Sequence, residues 1–236
     1  MSFDKISGDR FEQLAKNYAQ YWDEVASEAG FDNQQFQRSI FEQALRFLPN
    51  LRSLKILDLG IGDGNTINAF VEHGCHNITG IDLNPTMLSA SEKRFGSAVR
   101  LIQGDLRALS SIFSIKEFDL IISGATIHNI PRSQRIEVWK GIELIRPQLF
   151  VTGDKIADDD PTRHAEYLKK ETSAILKVYR DKYGLQEVAE AWLEHYDVDE
   201  VEKLYLNEML EVLVKSYSVS LAEEFGMYKT VIANRI

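Results

Sequence analysis

Two kinds of apolar pattern alternate along this chain: stripes at helical spacing and short unbroken runs. Phe11, Leu14, Ala15, Tyr18, Trp22 and Val25 recur every three or four residues, and Asp9 with Glu12 has capping-box spacing before them. Phe36, Ile40, Phe41, Leu45 and Leu48 repeat the stripe, and Pro49 follows it. Ile56, Leu57 and Leu59 then read as a strand running into Gly60, Gly62 and Gly64. Residues 65–73 predict a helix with Ile67, Phe70 and Val71 on one side, ended by a left-handed cap at Gly74. A strand over 78–82 comes next, then a helix capped by Asn84 with Pro85 at its first position, running to about Arg94. Strands follow over 99–104 and 118–123. A helix over 133–145 carries Ile136, Trp139, Lys140 and Leu144, and a fifth strand spans 149–154. Strands alternating with helices imply a doubly wound, mainly parallel sheet.

Residues 160–217 return to helical spacing. Tyr167, Thr172, Ile175, Leu176 and Tyr179 suggest one helix, Val188, Trp192 and Leu193 a second, and Tyr205, Leu206, Leu210, Leu213 and Val214 a third. This is longer than an ordinary helix–strand connection. Its aromatics, including Tyr196, suit either a lid over an organic acceptor or packing of the insert against itself or a second copy of the chain.

The glycine turn carries the chemistry. A ligand with a ribose and a charged tail must lie against bare backbone at the end of the first strand, where glycines also tolerate positive φ. Asp82 ends the second strand, where its carboxylate can accept from both ribose hydroxyls. Gly60-Ile61-Gly62-Asp63-Gly64 lacks the G-x-G-x-x-G spacing of a dinucleotide site, and Asp63 would repel a phosphate. An acidic turn suits a cationic amino-acid ligand better. Asp58, inside an apolar strand, calls for a reason of its own.

With these residues in view, the chain resembles a class I S-adenosylmethionine-dependent methyltransferase. Residues 57–64, Leu-Asp-Leu-Gly-Ile-Gly-Asp-Gly, resemble the family's first motif; residues 81–88, Ile-Asp-Leu-Asn-Pro-Thr-Met-Leu, resemble its second. Gln103-Gly104-Asp105-Leu106 resembles the third, and residues 118–125 resemble the fourth strand. The match covers about residues 50–155. It implies S-adenosyl-L-methionine as cofactor. Asp58, Gly60, Gly62, Asp63, Asn65, Asp82, Leu83, Met87, Asp105, Leu106, Ser123, Gly124 and Ala125 would form its site, with Asp105 on the adenine amino group. Tyr18 would cover the methionine end, although Ala19 follows where the family usually has aspartate. The resemblance also implies a seven-stranded Rossmann-like sheet whose last strands, 218–226 and 229–234, pair antiparallel. One domain results, with an N-terminal helical cap (1–50), a cofactor core (51–159), a helical insert before the last two strands (160–217) and terminal strands (218–236).

Methyl transfer from a sulfonium is an in-line displacement, so the protein mainly positions and desolvates. A base is needed only when the acceptor must lose a proton. His128, just past the fourth strand, is the candidate base; shaping the methionine pocket is its other reading. Asp154 and Lys155 end the fifth strand and face the same mouth. Asp158, Asp159 and Asp160 read as a solvated turn and helix N-cap, with no histidine at metal-ligand spacing, so no metal is expected. His195, Asp197 and Asp199 are left open. The reading is methyl transfer to oxygen or nitrogen of a small molecule. The alternatives are a carboxy-S-adenosylmethionine synthase-like or tRNA-modifying enzyme, which the later part of the chain also resembles, and a non-catalytic binding protein.

Composition narrows the setting. With 236 residues and 44% hydrophobic content the chain can bury one sizeable core. A net charge of -9 does not favour nucleic acid as partner. Cys75 is the single cysteine, which excludes an internal disulfide and suits a reducing, cytoplasmic setting. Residues 1–10 have no signal-peptide pattern, and no apolar run approaches a membrane span. No hydrolase elbow, phosphate-binding P-loop or C-x-x-C pair is present.

Overall fold

The computed structural model describes residues 18–236, with side chains from residue 21 onward. The expected helix start around Phe11, Leu14 and Ala15 and the side chain of Tyr18 lie outside the described residues. Helix α1 (Tyr18–Ala29) and helix α2 (Asn33–Phe47) precede the sheet. Asp32 caps α2 by accepting from the Gln35 N–H at 2.9 Å. The strands are β1 (Ile56–Leu59), β2 (Ile78–Asp82), β3 (Val99–Gln103), β4 (Leu120–Gly124), β5 (Leu149–Lys155), β6 (Tyr217–Phe225) and β7 (Tyr228–Arg235).

They form one seven-stranded sheet in the order β3-β2-β1-β4-β5-β7-β6. All neighbours are parallel up to β5, and β7 pairs antiparallel with both β5 and β6. The chain winds outward from β1 in one direction, then resumes at β4 in the other. The crevice between the C-terminal ends of β1 and β4 is therefore the topological switch point, where open α/β sheets bind ligands. The pleat sends Leu57 and Leu59 to a core with Ile121, Trp139 and Phe150, and Ile56 to the opposite core with Ile40, Phe70 and Ile122.

The connecting helices are α3 (Asn68–Glu72), α4 (Pro85–Phe95), α5 (Leu109–Ile112) and α6 (Arg135–Ile145). The helix expected over 65–73 is shorter, because the glycine turn extends to Ile67 before helical geometry begins. The one over 84–94 forms as expected: Asn84 accepts from Thr86 N–H (2.8 Å) and Met87 N–H (3.3 Å). Of the four side chains expected on α6, only Trp139 faces the core. Ile136 and Leu144 are exposed and Lys140 pairs with Glu137 in solvent, while Arg135, Val138, Trp139, Ile142 and Ile145 are buried.

The insert is helix α7 (Pro161–Ile175), a π-helical turn over Leu176–Lys182, helix α8 (Gln186–Val201) and helix α9 (Leu206–Leu213). Its aromatics pack inward. Trp192 stacks on Trp22 of α1 with centroids 4.7 Å apart, and Tyr183 stacks on Tyr21 at 4.0 Å. Tyr179 and Tyr196 are almost fully buried in the same cluster. Trp192 and Tyr179 thus pack against the N-terminal helix α1. Asp160 caps α7 as expected, but the turn before it is not solvated throughout: Asp158 is buried against Arg163 (2.7 Å) and Lys229 (3.3 Å). Among the described residues no helix is long and apolar enough to cross a membrane.

Candidate functional site

The glycine turn leaves β1 at Gly60 (φ 70°) and Gly62 (φ 56°), both left-handed. A Cβ on Gly60 would lie 2.1 Å from Thr126 Cγ2, so the β4 loop closes directly onto bare backbone there. Thr126 Oγ1 donates to Gly60 O at 3.2 Å or Gly124 O at 3.0 Å. Opposite the turn, Asp82 accepts from Gly62 N–H on Oδ2 (2.9 Å) and from Asn84 N–H on Oδ1 (2.8 Å). The carboxylate is fixed in place, and each oxygen retains further accepting capacity toward a diol. Burial raises its pKa against the pull of these backbone donors.

Asp58 lies below the turn with no exposure, and neither carboxylate oxygen has a hydrogen-bond partner. Burial, reinforced by the Asp82 charge, pushes it well above the usual carboxylate range. The folded form thus holds a proton that the unfolded chain releases near its ordinary value of 3.8. Stability from this group is present below the unfolded pKa and is lost as pH rises toward the folded one. Asp58→Asn should therefore flatten the fall in melting temperature as pH rises above 3.8. An unchanged slope would show that Asp58 is ionised at no cost.

The other expected cofactor residues divide into four groups. Met87 and Leu83 flank the crevice: Met87 Cε lies 3.2 Å from where a Cβ on Gly62 would be, and Leu83 is exposed. Asp63 and Asn65 bind each other, with Asn65 Nδ2 donating to Asp63 Oδ2 at 3.1 Å. Arg94 of α4 donates to Asn65 Oδ1 at 2.7 Å, a partner that residue order did not reveal. Asp105 caps the turn after β3 by accepting from Arg107 N–H (2.8 Å), and the Arg107 guanidinium holds it below the usual range. Leu106 behind it is buried.

At β4, Ser123 is buried and donates to Leu59 O at 3.1 Å, tying β4 to β1. Gly124 faces Thr66 and Gln37, which hydrogen-bond each other at 3.0 Å and bring α2 over the strand end. Ala125 has φ 50°, a strained conformation for a residue with a Cβ, held by its N–H donating to Gly153 O at 2.7 Å.

That turn delivers His128. Its ring is buried, and Nδ1 lies 2.5 Å from Asp154 Oδ1. Asp154 also accepts from the N–H groups of Ile127 (2.7 Å) and Lys155 (2.9 Å). On the far side, His128 Nε2 is 4.0 Å from Asp199 Oδ2. Asp199 comes from α8 together with His195, whose Nε2 is 3.6 Å from the same oxygen. Lys155 Nζ is 2.8 Å from it and 3.3 Å from the Tyr196 ring centroid. Burial acts to raise Asp199, but Lys155, His195 and His128 outweigh it and hold it at about 2. Tyr196 donates to Glu171, which burial raises.

Spacing along the chain gives no metal set, yet the fold gathers His128, His195 and Asp199 with ligand atoms within 4.8 Å of one another. Asp197 remains on the exposed face of α8. The i,i+4 spacing of His195 and Asp199 was the legible half of this signal; the long-range partner His128 was not.

Residues 56–146 match the family model described as a methyltransferase domain. An uncharacterized protein of Haemophilus influenzae is 33% identical over 92 residues. The aligned stretch spans 36% of this chain and 36% of that protein. Among solved structures, the magnesium protoporphyrin IX methyltransferase of Synechocystis PCC 6803 with bound SAM has a TM-score of 0.62 at 12% identity, covering 100% of this chain and 98% of that one. A TehB-like SAM-dependent methyltransferase of Corynebacterium glutamicum has a TM-score of 0.58 at 18% identity, covering 95% and 100%. The fold of this chain is the Rossmann-like fold of those methyltransferases.

Proposed function

We propose that this protein is an S-adenosylmethionine-dependent methyltransferase acting on oxygen or nitrogen of a small molecule. The carrying observation is Asp82, fixed by Gly62 N–H and Asn84 N–H across from bare glycine backbone at the switch point of the sheet. The residues fit the cofactor: Asp82 for the ribose diol, Met87 and Leu83 beside the nucleoside, and Asp63 of the acidic turn toward a cationic tail. When bound, S-adenosyl-L-methionine supplies an activated methyl group, so no residue need activate the donor.

The acceptor side is His128. Asp154 on Nδ1 orients the ring, and in a protonated acceptor's reaction Nε2 takes the proton released as the new bond forms. Lys155 is buried on the same Asp199 carboxylate that faces His128, polar surroundings that suit a small, hydroxyl- or amine-bearing molecule. The alternative of a carboxy-S-adenosylmethionine synthase-like or tRNA-directed enzyme rests on the length of the helical insert alone. A net charge of -9 argues against direct contact with nucleic acid.

Calorimetry tests the reading. S-adenosylmethionine and its demethylated product should bind, and NAD should not. NAD binding tighter than either would overturn it.

A further inference from the structure

We propose that His128, His195 and Asp199 form a binding site for one divalent transition-metal ion on the acceptor side of the crevice. The inference deepens the methyltransferase reading and rests on it for the role of the metal, though not for the binding itself.

Three observations carry it. First, the donors converge. His195 and Asp199 lie one turn apart on the same face of α8 and are buried, and His128 meets them from the β4 loop. His195 Nε2 and His128 Nε2 stand 3.6 and 4.0 Å from Asp199 Oδ2. Ligands about 2.0 Å from a tetrahedral ion stand roughly 3.3 Å apart, so small side-chain shifts close the set. Second, the outer partner is present. His128 Nδ1 is held by the buried Asp154 carboxylate at 2.5 Å, the carboxylate–histidine arrangement that orients ligating imidazoles. With Nδ1–H donating to Asp154, the Nε2 lone pair faces the Asp199 carboxylate. A lone pair opposite an anion calls for positive charge between them, which a second ring proton or a bound cation supplies. Third, two buried carboxylates flank the His128 ring. Asp154 and Asp199 are both buried, and Lys155 is the one ammonium at hydrogen-bond distance from either among the described residues.

Two imidazoles and one carboxylate suit zinc-class ions and leave coordination positions open. Those positions fit an oxygen donor of the acceptor, which makes the acceptor class a hydroxylated or carboxylated small molecule. In the metal-bound protein His128 is a ligand; in the metal-free protein its Nε2 remains the base described above. Lys155 shares the Asp199 oxygen and so competes with the ion.

The test is metal binding by the full chain, with zinc as the affinity probe and cobalt(II) as the spectroscopic one. After chelator treatment and dialysis, the wild type should take up one equivalent of zinc, and cobalt(II) should give a visible absorption band typical of low coordination number. His195→Ala and Asp199→Asn should each weaken binding at least about tenfold, and Asp154→Asn by about 10–100-fold through loss of the outer partner. Lys155→Met should bind the ion more tightly than wild type. Circular dichroism and S-adenosylmethionine calorimetry on each variant separate lost ligation from lost folding. Absence of stoichiometric uptake by the wild type overturns the site. So does undiminished affinity in folded His195→Ala and Asp199→Asn, or Lys155→Met that binds no tighter. Metal uptake without S-adenosylmethionine binding would leave the metal site standing and remove the methyltransferase reading; the converse would leave His128 as a metal-free base.

Discussion

Arg135→Met should destabilise the protein by about 3–5 kcal/mol, the usual cost of deleting one partner from a buried charged network. Arg135 has no exposed surface at the start of α6. Its Nε donates to Ile130 O at 2.8 Å, Nη1 to Lys203 O at 2.9 Å, and Nη2 to His128 O at 3.0 Å and to Glu202 O. Nη1 also meets Glu208 Oε2 at 3.3 Å. One guanidinium thus ties the His128 turn to the end of α8 and the start of α9. Burial lowers its pKa, with Glu208 opposing that shift. Methionine keeps much of the volume and strands four carbonyl oxygens. For a chain of this size the melting temperature should fall by roughly 6–20 °C. Urea denaturation gives the direct measure, and a loss below about 1 kcal/mol would mean that water replaces the guanidinium without cost. Because Arg135 holds the loop and not the glycine turn, the surviving folded fraction should bind cofactor normally.

Asp82→Ala should weaken S-adenosylmethionine by about 1–3 kcal/mol, roughly 5–150-fold, through loss of charged acceptors for the ribose diol. The same change strands Gly62 N–H and Asn84 N–H, which now donate to Asp82. The glycine turn should loosen with it, and the demethylated product should lose a similar factor because it carries the same ribose. Calorimetry with both ligands checks this. Unchanged affinity would remove Asp82 from the site and leave it as a turn-stabilising side chain.

The βαβ unit was legible because its signals are local. Asn84 and Pro85 start α4, and the glycines sit where β1 must turn. On α6 the sequence reading found the core face only at Trp139. The true stripe, Arg135, Val138, Trp139, Ile142 and Ile145, has helical spacing but begins with a cation. An arginine joins such a stripe only when backbone carbonyls from elsewhere receive its donors, and those of Glu202 and Lys203 are almost seventy residues away. The aromatics of the insert were visible as a supply, but not their partners: Trp192 meets Trp22 across 170 residues of chain.

What the sequence determined by itself, then, is whatever one strand, one turn or one helix can specify: the alternation of elements, the caps, the glycine turn and the acid at the end of β2. Hydrogen bonds and steric limits within a few residues are enough to set these. The tertiary structure decided the pairings across the molecule. It brought Thr126 onto Gly60 and Asp154 onto His128, and it carried His195 and Asp199 from α8 to the mouth of the sheet. Buried polar groups tolerate few arrangements, but which distant partner satisfies each one depends on how the layers pack, and no local pattern encodes that.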